Sequence, residues 1–116
     1  LVANAVALNP NMNYWIILGG SGQGEAIIAN RFPNVRAIVF YGDPGFFSSG
    51  DIIKLGREHN DSNILSLGAN FLKTKEAKRA VEMWLTTHFS NDERHIRRIK
   101  KIENIFKQIK NNFDFF

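Results

Sequence analysis

The sequence contains no cysteine, which excludes disulfides, thiolate metal sites and a cysteine nucleophile, although it does not identify a compartment. No apolar run approaches the ~20 residues that span a bilayer. The first residues also lack the basic, apolar and cleavage regions of a signal peptide. A cytoplasmic protein with no membrane partner is therefore expected. The one glycine-rich stretch is not followed by lysine and then serine or threonine; Glu25 and Ala26 stand there, which argues against a phosphate-binding P-loop. No aromatic residues are interleaved with the basic ones near the C-terminus, so base stacking finds no support and no nucleic-acid partner is expected. Methionine is absent from position 1. Leu1 to Leu8 reads like the end of a helix already under way, so the expectation is a chain whose beginning is missing or processed, with an arbitrary boundary as the alternative.

What is present suits a single domain over residues 1–116 with a modest core: 44% of residues are hydrophobic and the net charge is +4. The charge is uneven. From Arg94 onward there are seven Lys/Arg against two acids, whereas residues 1–93 carry eight against nine. Such a basic helix is a solvated face, a phosphate site or a nucleic-acid contact.

The chain is organised around Gly19-Gly20-Ser21-Gly22-Gln23-Gly24-Glu25, which follows the apolar run Tyr14 to Leu18 and precedes a helical pattern from Ala26. Four glycines in six positions remove side chains where backbone N–H groups must approach a ligand, and a helix N-terminus adds partial positive charge. The even spacing of Gly20, Gly22 and Gly24 departs from a dinucleotide fingerprint and is closer to the loop of some methyl-donor-binding folds. A tight strand-to-helix turn without ligand is the plain alternative. Glu25 favours a different chemistry: a carboxylate beside a phosphate repels it, but beside a carbon acid whose enediolate is held by loop N–H groups it is a general base.

The apolar runs at 14–18, 35–40 and 63–68 predict three strands, the first two buried on both faces, and the helical patterns between them predict right-handed βαβ units and a parallel sheet. Ligands bind outside the carboxyl ends of such strands, where the glycine loop sits. Thr74 is the expected cap of the next helix, whose face carries Ala77, Ala80, Val81, Trp84 and His88. Ser90-Asn91-Asp92-Glu93 has capping-box form for the last helix, in which Ile96, Ile99, Ile102, Ile105, Phe106 and Ile109 make an apolar stripe continuing toward Phe113, Phe115 and Phe116. That stripe predicts subunit contact, or a frayed apolar tail. Trp15 and Trp84 are expected in the core.

Three blocks then coincide in order: GGSGQGE with Ala29-Asn30, Arg57-Glu58-His59-Asn60-Asp61, and Arg94-His95 with Arg98. Together they resemble the ribose-5-phosphate isomerase B family, which includes galactose-6-phosphate and allose-6-phosphate isomerases. The resemblance runs from the first residues to Glu103. It implies a Rossmann-like α/β fold, with a parallel sheet between helices, and a long C-terminal helix over 91–110 at a dimer interface. It also implies a homodimer or dimer of dimers, no metal and no cofactor, and aldose–ketose isomerisation of a sugar phosphate through a cis-enediol(ate).

Some members of the family use a cysteine base at the position of Gly19, and others carry glycine there and use a glutamate at the position of Glu25; this chain resembles the second subgroup. The resemblance further implies that Gly20, Ser21, Gly22, Gln23 and Gly24 bind substrate oxygens, that His59 assists opening of the furanose ring, and that Asn60 binds a sugar hydroxyl. Arg94, His95 and Arg98, at i, i+1 and i+4 on a helix, share one side and match the family's phosphate-binding residues. A solvated helix face and a merely packed histidine are the alternatives.

Three departures accompany the match. Members usually carry arginine where this chain has Asn70, and that arginine contributes to phosphate binding. The segment from Tyr41 to Asp51 is longer than the family pattern by about seven residues, enough for a lid or a reshaped pocket. The family's first strand, with its Asp-His pair, has no counterpart in this sequence, which predicts an exposed sheet edge and an incomplete core.

Overall fold

The computed structural model describes residues 1–42 and 49–113. The middle of the long segment after Tyr41, together with Phe115 and Phe116, lies outside the described residues. The order of elements is α1 (Val2–Leu8), β1 (Trp15–Gly19), α2 (Gln23–Ala29), β2 (Ala37–Phe40), α3 (Ser49–Glu58), β3 (Ile64–Gly68), α4 (Thr74–Thr86) and α5 (Glu93–Phe113).

The three strands form a parallel sheet in the order β1-β3-β2. The last strand in sequence is the middle one in space because every residue of Ile64–Gly68 is buried, the condition of a strand hydrogen-bonded on both edges and covered on both faces. Its partners are set by register, Trp15↔Ile64 through Gly19↔Gly68 on one side and Ala37↔Ile64 through Phe40↔Leu67 on the other.

Side-chain alternation along β3 divides the core into two layers. Leu65 and Leu67 face α3 and α4, where Phe40, Ile53, Ala80 and Trp84 complete one cluster. Ile64 faces the other way, onto Ala3, Val6, Ala29 and Val35. Trp84 is 1% exposed and its indole Nε1 donates to Ser62 Oγ at 2.8 Å, so its polar atom is satisfied inside the core. Truncating such a residue costs about 3–5 kcal/mol.

Several local expectations are corrected. Lys73, not Thr74, caps α4; its backbone N–H donates to Glu76 Oε2 at 2.8 Å. Helix α5 begins at Glu93, so its capping residue is Asp92, whose carbonyl accepts from the His95 and Ile96 N–H groups. Ser90 Oγ instead accepts from the Asp92 N–H at 3.3 Å, a turn before the helix rather than a capping box. Helix α4 ends at Thr86, which leaves His88 exposed beyond it. Trp15 is 40% exposed rather than core, because it opens β1, an edge strand, on the face that Ile64 shares. Leu18 shares the opposite face with Leu67 and is 67% exposed, because the α3–α4 layer does not reach across β1 there.

Candidate active site

The glycine loop leaves the carboxyl end of β1, and its shape is dictated by what lies beneath it. Gly22 has φ of 77°, a left-handed conformation that only glycine adopts without strain. A Cβ there would also stand 3.0 Å from Ser66 Oγ and 3.1 Å from the Leu67 carbonyl carbon. Ser66 explains itself at the same point: its hydroxyl, buried in the central strand, donates to the Gly22 carbonyl at 2.7 Å. Two further bonds join the loop to the end of β3, from the Ala69 N–H to Gly19 O at 2.8 Å and from the Asn70 N–H to Gly20 O at 3.0 Å. The loop is therefore rigidly seated. Gly24, by contrast, has nothing within 4 Å of its Cβ position and faces open space.

Glu25 lies in the first turn of α2, and its carboxylate folds back over Gly19, where a Cβ would overlap it. The half-buried Glu25 side chain therefore lies over the carboxyl end of β1, where the glycine loop departs. Ser21 Oγ accepts from the Gln23 N–H at 3.3 Å and so steadies the loop from within. Helix α2 has only seven residues, so the donors that matter are the loop N–H groups themselves more than a helix dipole. Asn70 borders this region as well: its side-chain nitrogen lies 3.1 Å from the Cβ position of Gly20. Tyr41 and Phe71 stack edge to face beside it, with ring centroids 5.9 Å apart.

The second group of candidate residues lies at the other end of the sheet. His59 and Asn60 follow the last residue of α3, just before β3 begins, whereas the glycine loop follows β1. Since β1 and β3 are parallel and paired along their whole length, the two groups are separated by at least the length of β3, roughly 13 Å for five residues. That exceeds the extended length of a pentose phosphate. One chain does not bring its own Glu25 and His59 onto the same small molecule.

His59 is held in a well-determined turn. Arg57 Nη1 pairs with Asp61 Oδ1 at 3.0 Å, the Arg57 Nε donates to Thr87 O at 3.1 Å, and its Nη1 also donates to Ser62 O. Arg36 reaches Asp61 from the start of β2, with Nε donating to Asp61 O at 2.9 Å and Nη2 standing 3.4 Å from Oδ2. Arg57 and Asp61 thus bracket His59 and Asn60, a structural role that the block Arg57 to Asp61 did not disclose except through its i, i+4 spacing.

Helix α5 delivers the remaining residues. The Ser90 N–H donates to Glu58 O at 3.1 Å, which docks the segment before α5 against the end of α3. His95 then stacks on His59, with ring centroids 4.2 Å apart and ring planes 17° from parallel. His95 is 3% exposed, and burial first, then His59 and Arg94, hold its imidazole below the ordinary histidine value. Arg94 and Arg98 are exposed on the same helix, Arg94 with its Nη2 3.9 Å from Asp92 Oδ2, and both guanidinium groups stay open to solvent. The structure stacks His95 on His59 and buries it, whereas its neighbours Arg94 and Arg98, expected to share one side with it, stay exposed.

A family model described as Ribose/Galactose Isomerase matches residues 1–102. The chain belongs to the ribose/galactose isomerase family. Among curated members of this family it is 37% identical over 84 residues to ribose-5-phosphate isomerase B of Mycobacterium tuberculosis, covering 72% of this chain and 48% of that protein. It is 33% identical over 90 residues to ribose-5-phosphate isomerase B of Escherichia coli, covering 78% and 55%.

Solved structures of family members superpose closely. Type B ribose 5-phosphate isomerase from Trypanosoma cruzi gives a TM-score of 0.80 at 32% identity, covering 91% of this chain and 65% of that one. The Mycoplasma genitalium enzyme, determined with bound ribulose-5-phosphate, gives 0.80 at 28% identity, covering 90% and 64%. The chain spans about half the length of the curated family members it matches. The Rossmann-like parallel sheet expected from the three sequence blocks is the fold observed.

Proposed function

We propose that the full-length protein isomerises a sugar phosphate between aldose and ketose, ribose 5-phosphate to ribulose 5-phosphate in the first instance, at sites shared by two copies of the chain. The observation that carries this reading is the Glu25 carboxylate folded over Gly19 beside the seated glycine loop, in a chain of the ribose/galactose isomerase family. Glu25 takes the proton from C2 of the open-chain aldose. The oxygen of the resulting enediolate is held by N–H groups between Gly20 and Gly24, with Ser21 beside it, and losing one such donor costs about 3–4 kcal/mol of barrier. The same carboxyl returns the proton to C1, and the C2 hydroxyl proton passes to the C1 oxygen, so one base serves both steps.

His59 and Asn60 come to this site from the second copy. His59 gives a proton to the ring oxygen as the furanose opens, Asn60 bonds a sugar hydroxyl, and Arg94 and Arg98 receive the phosphate. The opposite-end arrangement of the two groups supports a homodimer, alone or paired into a dimer of dimers. The stripe on α5 supports it too, since Ile102, Ile105 and Ile109 are each more than half exposed. Among the described residues, no helix is long and apolar enough to cross a membrane. A cytoplasmic setting belongs to the proposal, because phosphorylated sugars do not cross bilayers unaided. No cofactor takes part in it.

The test is turnover of ribose 5-phosphate by the full-length protein and by Glu25→Gln, which removes the base and keeps the shape. We expect kcat to fall about 10²–10⁴-fold with KM little changed. Undiminished turnover in Glu25→Gln would end the assignment. Asn70 beside Gly20 supports a second reading, an altered substrate or a silent subunit, because a neutral amide supplies no charge to a phosphate. Allose 6-phosphate and galactose 6-phosphate run in the same assay separate those two.

A further inference from the structure

The stacked pair His59–His95 joins two elements that are far apart in sequence. Only His59 remains partly accessible, while His95 is sealed beneath it with its Nε2 atom buried and without a hydrogen-bond partner. The nearest carboxylate oxygen, Asp92 Oδ2, stands 4.0 Å from that nitrogen, beyond hydrogen-bond reach. A buried nitrogen without a partner is tolerated far better on an uncharged ring than on an imidazolium. Protonation of His95 is also opposed by its surroundings, since the charges of His59, just beyond α3, and of Arg94 and Arg98 on its own helix all disfavour it, with Asp92 the one opposing charge among these groups.

We infer that His95 is a positioning residue: an uncharged, buried ring that serves as a flat platform under His59 and fixes the plane in which the His59 nitrogens meet the substrate. This rests on the proposed role of His59. It assigns His95 a task different from phosphate binding, which stays with Arg94 and Arg98. The backbone bond from Ser90 to Glu58 seats the two rings against each other, so the platform is built from both sides of the contact. An imidazole free to turn about its side-chain torsions would spend less time in the productive direction, and small misplacements of a catalytic group cost up to about 10²-fold in rate.

The experiment compares His95→Phe with His95→Leu in the full-length protein. Both fill the buried slot and neither can titrate, but only phenylalanine offers a flat ring. Two readouts are taken: kcat and KM for ribose 5-phosphate, and the ¹⁵N shifts of the His59 ring by NMR. We expect His95→Phe to retain kcat within about threefold, and His95→Leu to lose about tenfold in kcat at constant KM with altered His59 shifts. If the two variants behave alike in both readouts, or if KM rather than kcat responds, the platform is overturned. The variant His59→Ala, assayed alongside, isolates the underlying reading. Full turnover in His59→Ala removes His59 from the mechanism, whereas the His59 ring shifts still report whether His95 orients it.

Discussion

The carboxylate of Glu25 occupies the space that any side chain at residue 19 would need. Glycine at 19 and glutamate at 25 are therefore one structural decision, because the base can lie over the loop only where the strand end carries no Cβ.

Gly19→Ala should push the carboxylate away from the loop without disturbing the sheet. The expected result is a loss of about 10²-fold in kcat, the cost of misplacing a catalytic group, with circular dichroism and melting temperature close to wild type. Gly22→Ala differs in kind, since the left-handed backbone and the Ser66 and Leu67 contacts both resist a methyl group. It should lose more than about 1 kcal/mol of stability in urea unfolding. Equal melting temperatures for the two variants would contradict this division.

Glu25→Gln and His59→Ala should each abolish activity alone and recover part of it when the two are denatured and refolded together. If each site takes Glu25 from one copy and His59 from the other, half the dimers are mixed and half the sites in those are intact, so about a quarter of wild-type activity returns. A site formed within one chain gives no recovery.

Asp61→Ala leaves the Arg57 guanidinium buried without its carboxylate, and also removes the side-chain partner of Arg36. Breaking one partner of a buried pair costs about 3–5 kcal/mol. Urea denaturation should detect a shift of that order, and a change under about 0.5 kcal/mol, the ordinary range for surface substitutions, would show that the bracket around His59 and Asn60 is not a stabilising one.

Stability should depend on pH through His95. Its folded value is held below the ordinary 6.5 by burial first and then by His59 and Arg94, so the unfolded chain binds its proton more readily than the folded one. The contribution is fully present above pH 6.5 and is lost as pH falls from there through the lowered folded value. His95→Phe lacks this titration, so acidification from pH 7.5 to 5.5 should destabilise the wild type more than the variant. A constant gap between their urea midpoints across that range would refute the assignment.

Much of this protein was legible before its fold was seen, for a local reason. The runs at 14–18, 35–40 and 63–68 form strands, as consecutive apolar side chains on an extended chain predict, but only β3 is buried throughout; β1 and β2, expected to be buried on both faces, are the edge strands of the sheet. The four-glycine loop can sit close over the end of β3 because Gly22 tolerates a left-handed backbone and a Cβ there would meet Ser66 and Leu67. The strand runs and the backbone freedom of the loop follow from covalent geometry and a few neighbouring residues, and so does Glu25 in the first turn after the loop. Helix ends were read less well: Lys73 and Asp92 displaced Thr74 and Ser90 as caps, because only a few backbone torsions separate the alternatives.

What tertiary structure alone decided is which distant residues meet. The insertion of β3 between β1 and β2, Ser66 bonded to Gly22, the stack of His59 on His95 and the grip of Arg57 and Arg36 on Asp61 leave no complete mark in local periodicity. The sequence by itself determined that Glu25 and His59 stand on a parallel α/β chain. Only the folded sheet put them at its opposite ends, because a helix that connects parallel strands must return the chain to the end where it began.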